Sequence, residues 1–209
     1  MQRVLFLCYD SGPITKQITA LAKSLLPKAQ ISVLVQFPQT LKHYRRFGIN
    51  AGLIRAHLGW EHGTIKSEPN GSERVLGSET GFEHLLEYEF RLAPANKTAY
   101  LSSATMIASR FSRLCDELSP TLIFVWNGST LPWSVCADVA KKKSIPVFFL
   151  ERGFFRNSLF IDAKGVNAKS AFYENRTRAG TKISNRNSSG SLALKAELRR
   201  TFRPVVDDN

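Results

Sequence analysis

The chain contains two continuous apolar runs, residues 121–126 and 145–150, separated by a helical segment over residues 132–142. Strands that are buried on both faces have this composition, and they occur in parallel sheets that helices cover on each side. Both runs are far shorter than the ~20 residues that a membrane-spanning helix needs. The pattern therefore predicts an α/β domain built around a parallel sheet, with no membrane span.

The N-terminal region shows the same alternation. An apolar run over residues 4–8 precedes a helical stripe at Ile14, Ile18, Leu21 and Leu25, and residues 31–35 alternate as a strand does. This order predicts a βαβ unit with parallel strands and a right-handed crossover. We also expect a short helix over residues 40–47 and a longer one ending near Leu118. The fold class is thus a Rossmann-like parallel sheet with helices on both faces.

Charge and periodicity divide the chain into two parts. Residues 1–172 form the Rossmann-like domain, in which residues 50–79 are poorly periodic and are predicted to be an irregular excursion. Residues 173–209 are predicted to be a basic tail of low order, because the Asn-, Ser- and Arg-rich stretch within them has little apolar surface to bury. The net charge of +12 suits an anionic partner such as a nucleotide, a nucleic acid or an anionic lipid.

Cysteine usage and the N-terminal residues bear on the compartment. Cys8, Cys115 and Cys136 are far apart in apolar contexts, so we expect reduced core thiols of a cytosolic protein. The N-terminus lacks the features of a signal peptide. His57 and His62 do not have the spacing of a zinc helix, and no third ligand is evident, so we expect surface histidines and no metal.

Three polar segments follow predicted strands, at the sheet edge where α/β proteins bind ligands. In the first, Asp10, Ser11 and Gly12 precede a helix; they either cap it or present its amides to an anion or a sugar hydroxyl. In the second, Asn127 and Gly128 form either an ordinary turn or part of a site.

The third segment is Glu151-Arg152-Gly153. A carboxylate directly after a buried strand can act as a base or bind hydroxyls. The adjacent arginines, Arg152 and Arg156, can pair with it or grip a phosphate or carboxylate. The alternative is a strand-end ion pair that needs no substrate. Lys141, Lys142 and Lys143 end the preceding helix, where solvated cations that complement the helix dipole are favoured over a phosphate site. The phosphate-binding and dinucleotide-binding glycine motifs are absent from the sequence.

Two linked motifs carry a family resemblance. The run Phe148-Phe149-Leu150-Glu151-Arg152-Gly153-Phe154, followed by a Gly165-Val166-Asn167 turn, resembles the bacterial capsule polysaccharide synthesis family, which includes β-Kdo transferases. Asn127-Gly128 matches the same pattern, and the likeness covers roughly residues 122–171.

This resemblance implies a GT-B-like glycosyltransferase of two Rossmann-like halves, of which this chain would be the N-terminal, acceptor-side half. It implies CMP-Kdo as the sugar donor and no cofactor. It implies a lipid-linked or polysaccharide acceptor, and a cytoplasmic protein that is peripheral on the inner membrane or contacts other capsule-assembly proteins. Glu151 and Gly153, with Asn127 and Gly128, would line the N-terminal wall of the cleft between the two halves of such an enzyme. Gly165 and Asn167 would shape the adjoining loop. Glu151 is the candidate catalytic residue, and Asp10, Ser11, Gly12 and Arg152 complete the candidate substrate-binding set.

Three functions stay open on the sequence. The first is the capsule-type glycosyltransferase, complete or truncated. The second is a non-catalytic binding or adaptor module of the same fold. The third, and least favoured, is a basic nucleic-acid-binding protein, because no recognised binding motif accompanies the charge.

Overall fold

A computed structural model describes residues 1–8, 12–25, 29–60, 81–153, 155 and 158–166. Within these residues, six strands form one sheet in the order β3-β2-β1-β4-β5-β6. The strands are β1 (Arg3–Leu7), β2 (Gln30–Val35), β3 (Asn50–Leu53), β4 (Leu122–Trp126), β5 (Val147–Arg152) and β6 (Leu159–Asp162). The strand order confirms the predicted Rossmann-like arrangement.

The first five strands are parallel and β6 is antiparallel to β5. The apolar pattern of the sequence predicts a wholly parallel sheet and does not predict β6. A parallel crossover needs a dozen or more residues, and only residues 153–158 separate β5 from β6. This short connection returns the chain beside β5 as an antiparallel edge strand.

Helices cover both faces of the sheet, as predicted. They are α1 (Gly12–Leu25), α2 (Pro38–Arg46), α3 (Ile54–Leu58), α4 (Glu87–Leu92), α5 (Lys97–Leu118) and α6 (Trp133–Lys142), with 3₁₀ turns at Glu83–Leu85 and Pro94–Asn96. Helices α1 and α2 bury Ile14, Ile18 and Tyr44 against one face. Helices α3, α5 and α6 bury their apolar stripes against the other face.

The predicted irregular excursion over residues 50–79 is wrong at its start. Residues 50–53 form β3, which pairs with β2, and residues 54–58 form α3. These elements are too short for periodicity to reveal, and pairing with β2 decides the strand. The remainder of the excursion from residue 61, and the predicted tail, lie outside the described residues. No helix in the described part of the chain is long and apolar enough to span a membrane.

All three cysteines are buried and none forms a disulfide bond, in keeping with their prediction as reduced core thiols. Burial raises the pKa of the Cys115 thiol to about 11. Burial also raises the pKa of Cys136 well above its ordinary value. Both groups are therefore neutral thiols near neutral pH and poor nucleophiles.

Candidate functional site

Strands β2 and β3 are added to the sheet on one side of β1, and strands β4, β5 and β6 are added on its other side. The loops that follow β1 and β4 therefore diverge at the carboxyl edge of the sheet, where α/β proteins bind their ligands. Of the predicted residues beside β1, Asp10 and Ser11 lie outside the described residues, as does Asn167. Gly12 is exposed as the first residue of α1, and the space around it is open. The structure brings the other predicted residues together at the ends of β4 and β5.

Asn127 makes the sharp turn that follows β4. Its φ is +60°, a left-handed conformation that asparagine tolerates better than most residues, and the Gly128 N–H donates to the Trp126 carbonyl at 2.7 Å. Its side-chain Oδ1 accepts a hydrogen bond from the Ser129 N–H at 3.2 Å. Its Nδ2 donates to Glu151 Oε2 at 3.0 Å. One amide therefore fixes the turn and also orients a carboxylate on the neighbouring strand.

Gly128 is required by its surroundings as well as by its backbone. Its φ is +73°, and a Cβ added there would collide with the ring of Phe149 on β5. The missing side chain lets the Phe149 ring pack beneath the turn. Gly128 thus determines how closely the end of β4 approaches β5.

Glu151 lies within β5, one residue before the strand ends, and it is half-buried. Its Oε2 accepts from Asn127, and its Oε1 accepts from the Arg152 backbone N–H at 3.0 Å. Among the described residues it forms no ion pair with the exposed Arg152 side chain. An ionised carboxylate has about four lone-pair directions, so two stay available to a sugar hydroxyl or another donor.

Gly153 has a local structural role. Its N–H donates to the Ser158 carbonyl at 2.9 Å, and a Cβ at this position would collide with Ser158 Oγ. The glycine therefore allows the tight connection from β5 to β6. This contact accounts for the residue without a substrate.

Asp162, for which no role was predicted from the sequence, organises the loop that follows β6. Its buried side-chain Oδ1 accepts hydrogen bonds from the Lys164 N–H at 2.7 Å and the Gly165 N–H at 3.2 Å. The following Val166 is buried in the core between the sheet and α6. The spacing from Asp162 to Gly165 is a turn signal that the sequence carried.

A cavity of about 210 Å³ lies beside the Asn127 turn. It is bounded by the turn itself, α6, the Phe149 ring, the loop at 164–166 and the 3₁₀ turn at Glu83–Leu85. Ser134, Asp138 and Lys141 of α6 line it. The cavity-lining role of these three residues was not predicted from the sequence. Their spacing of four and then three residues nevertheless places them on one face of a helix.

Glu89 joins two segments that lie next to this cavity. It is a buried carboxylate on α4 whose Oε1 accepts the Leu131 N–H at 2.7 Å. Leu131 belongs to the connection between β4 and α6, and α4 directly follows the 3₁₀ turn that bounds the cavity. The contact therefore joins α4 to the connection between β4 and α6.

Within the described part of the chain, no group of three His, Cys, Asp or Glu residues has the arrangement of a metal site.

Comparisons with protein-family models and with curated proteins find no match. Solved structures with a similar fold include UGT73P12 of Glycyrrhiza uralensis complexed with glycyrrhetinic acid 3-O-monoglucuronide (18% identity, TM-score 0.39). They also include the glycosyltransferase VinC in complex with DTDP (12%, 0.39) and a deacetylase–teicoplanin complex from the teicoplanin biosynthesis pathway (13%, 0.43).

These alignments cover 73%, 97% and 75% of this chain. They cover 28%, 44% and 74% of the respective solved chains, so this chain spans less than half of the first two. Similarity at this level carries no argument about activity or substrate. What the chain itself establishes is a mostly parallel α/β sheet with an amide–carboxylate pair and a cavity at its carboxyl edge.

Proposed function

We propose that this chain is the acceptor-side domain of a capsule-type glycosyltransferase that moves Kdo from CMP-Kdo to a lipid-linked acceptor. The observation that carries the proposal is the Asn127–Glu151 hydrogen bond of 3.0 Å at the carboxyl edge of the sheet, beside the cavity. Both residues belong to the motifs that resemble the capsule polysaccharide synthesis family. Their contact joins two motifs that are 24 residues apart in sequence.

The chemistry needs a base on the acceptor side. In glycosyl transfer an acceptor hydroxyl oxygen bonds to the anomeric carbon of the donor, the bond from that carbon to the CMP phosphate oxygen breaks, and the hydroxyl proton passes to a base. Glu151 is suited to take that proton or to orient the hydroxyl, because two hydrogen bonds hold its carboxylate while leaving lone pairs available. Asn127 would act as a positioning residue through this contact.

The test is transfer of Kdo from CMP-Kdo to a synthetic lipid acceptor, with a longer member of the capsule family as positive control. Glu151→Gln keeps the acceptor oxygen for Asn127 but removes the base, so we expect transfer to fall by about 10²-fold or more. Asn127→Ala leaves the carboxylate but frees its orientation, so a smaller loss is expected. Glu87→Gln makes the same change at an exposed carboxylate on α4, outside the site, and should leave transfer unchanged.

Absence of transfer by the wild-type chain, both alone and mixed with the donor-side domain of the control enzyme, would contradict the proposal where the control enzyme is active. Acceptor binding without transfer would instead indicate the non-catalytic binding module of the same fold. The two outcomes are separated by measuring acceptor binding in the same preparation.

A further inference from the structure

Lys141 differs from the two lysines that follow it. Lys142 pairs with Asp138 at 2.8 Å and Lys143 pairs with Asp116 at 2.6 Å. Lys141 lines the cavity, and its Nζ lies 5.0 Å from the centroid of the Phe149 ring. Among the described residues no carboxylate lies within 4 Å of this ammonium. The cavity therefore has a cation whose charge is not neutralised by a carboxylate of the described residues.

Ser134 provides a second, independent sign of a ligand. It lies two turns before Lys141 on the same face of α6, it lines the cavity, and it is only 5% exposed. Its hydroxyl Oγ is buried and has no hydrogen-bond partner within the part of the chain that the structure describes. A buried hydroxyl without a partner is unfavourable and calls for an explanation, which a ligand oxygen accepting its proton would supply.

The remaining polar lining does not cancel this charge. Asp138 also faces the cavity; Lys142 Nζ lies 2.8 Å from its Oδ2 and compensates its charge, although this oxygen accepts no hydrogen bond among the described residues. Lys164 and His84 contribute to the lining as well. The balance around the cavity thus favours an anion over a cation.

We propose that this cavity binds one carboxylate or phosphate group carried on a single sugar residue, with Lys141 and Ser134 as its ligands. The inference rests on the proposed function and names the chemistry of the acceptor. The volume of about 210 Å³ lies below the ~300–1,000 Å³ of pockets that enclose drug-sized molecules. It therefore suits one sugar ring with its acidic group and is too small for a whole nucleotide.

The test measures binding of three probes to the full chain by titration calorimetry. They are the methyl glycoside of Kdo, the methyl ester of that glycoside, which lacks the charge, and inorganic phosphate. We expect the ester to bind at least tenfold more weakly than the acid. We expect Lys141→Ala to weaken binding of the acid about tenfold and Ser134→Ala several-fold. Lys143→Ala, which removes a charge from the same lysine triplet but lies outside the cavity, should change binding by less than twofold.

Equal binding of the acid and the ester, or an unchanged affinity in Lys141→Ala, would overturn the inference. Tight phosphate binding that Lys141→Ala abolishes would support it and identify phosphate as the group. Melting temperatures of the variants separate loss of binding from loss of folding. Acid-selective binding without Kdo transfer would refute the proposed function alone. Transfer with an unchanged acceptor KM in Lys141→Ala would refute the cavity assignment alone.

A different observation carries a second inference, on the opposite face of the sheet. Residues 11–60 contain seven lysines and arginines and no aspartate or glutamate. Helices α1 and α2 from this segment cover one face, and they present Lys16, Lys23, Lys42 and Arg46 to solvent. Phe37 and Phe47 flank α2 and are 43% and 45% exposed. Lys23 Nζ lies 3.9 Å from the centroid of the Phe47 ring.

We infer that this α1–α2 face binds the surface of an anionic lipid bilayer. Exposed aromatic rings beside lysines and arginines are typical of surfaces that rest in the headgroup region, where each basic residue adds attraction to anionic lipid. The mixed charges of α5 on the other face do not form such a surface.

Flotation with vesicles tests this inference. We expect binding to vesicles of phosphatidylcholine and phosphatidylglycerol (3:1), weaker binding at high salt, and little binding to phosphatidylcholine alone. Lys42→Ala with Arg46→Ala should weaken binding by roughly 25-fold, at about fivefold for each charge. The matched pair on α5, Lys97→Ala with Arg113→Ala, should have a much smaller effect.

Equal effects of the two pairs would overturn the bilayer assignment. So would binding to mixed oligonucleotides that the α2 pair abolishes while vesicle binding persists, because the face would then serve nucleic acid.

Discussion

Replacing Gly128 by alanine perturbs the turn in two separable ways. A left-handed backbone costs a residue with a Cβ about 1–2 kcal/mol, and the φ of +73° imposes this cost on alanine. The new Cβ also collides with the Phe149 ring, and overpacking of this kind costs about 1–3 kcal/mol. We therefore expect Gly128→Ala to lower the free energy of unfolding by about 2–5 kcal/mol.

Gly48 is the matched control. Its φ is +71°, nearly the same as that of Gly128, but the space around it is open. Gly48→Ala should therefore cost only the backbone part, about 1–2 kcal/mol. Urea unfolding of both variants with comparable m-values measures the difference. In a Phe149→Leu background the extra cost at Gly128 should shrink. Equal losses at the two glycines would refute the argument that the Phe149 ring requires the absence of a side chain.

Three further results are expected. Glu89→Ala removes the acceptor of a buried hydrogen bond and should destabilise the chain by about 1.5–3 kcal/mol in urea unfolding, whereas Glu89→Gln keeps an acceptor for the Leu131 N–H and should cost less; equal losses would contradict the hydrogen bond's role. The folded-state pKa of Cys115 is raised from 9.0 to about 11, so its contribution to stability is present below pH 9 and is lost as the pH rises toward 11. Wild type should thus lose more stability over that window than Cys115→Ala, and parallel pH profiles would argue against it. Asp162→Ala removes the acceptor for two backbone N–H groups, and it should loosen the 164–166 loop and speed amide exchange of Lys164 and Gly165, with no change expected at Asn127.

The candidate site was partly predictable because strand ends are visible in sequence. Asn127 and Glu151 each occur where an apolar run stops, and parallel strands bring such ends to one edge. Their direct hydrogen bond was not predictable, since it depends on β4 and β5 being neighbours in register, with Trp126 opposite Leu150. The suggested ion pair between Glu151 and Arg152 is not formed in the described residues, because Asn127 and a backbone N–H bind the carboxylate instead.

The lysine triplet shows a similar limit. Helix-end lysines are usually solvated, and Lys142 and Lys143 do lie partly in solvent, each paired with a carboxylate. Lys141 is exposed as well, but it lines the cavity and its Nζ lies 5.0 Å from the centroid of the Phe149 ring. Three consecutive lysines in a sequence do not reveal which of them lines a cavity.

The sequence by itself determined the α/β class, the four parallel strands β1, β2, β4 and β5, and the presence of helices on both faces. All of these follow from the periodicity of apolar residues along the chain. Tertiary structure alone decided the edge strands β3 and β6, the Asn127–Glu151 contact and the cavity lined by Ser134 and Lys141. The physical reason is the same in each case. These features depend on contacts between different segments of the chain, whereas periodicity records only which face of a single segment is buried.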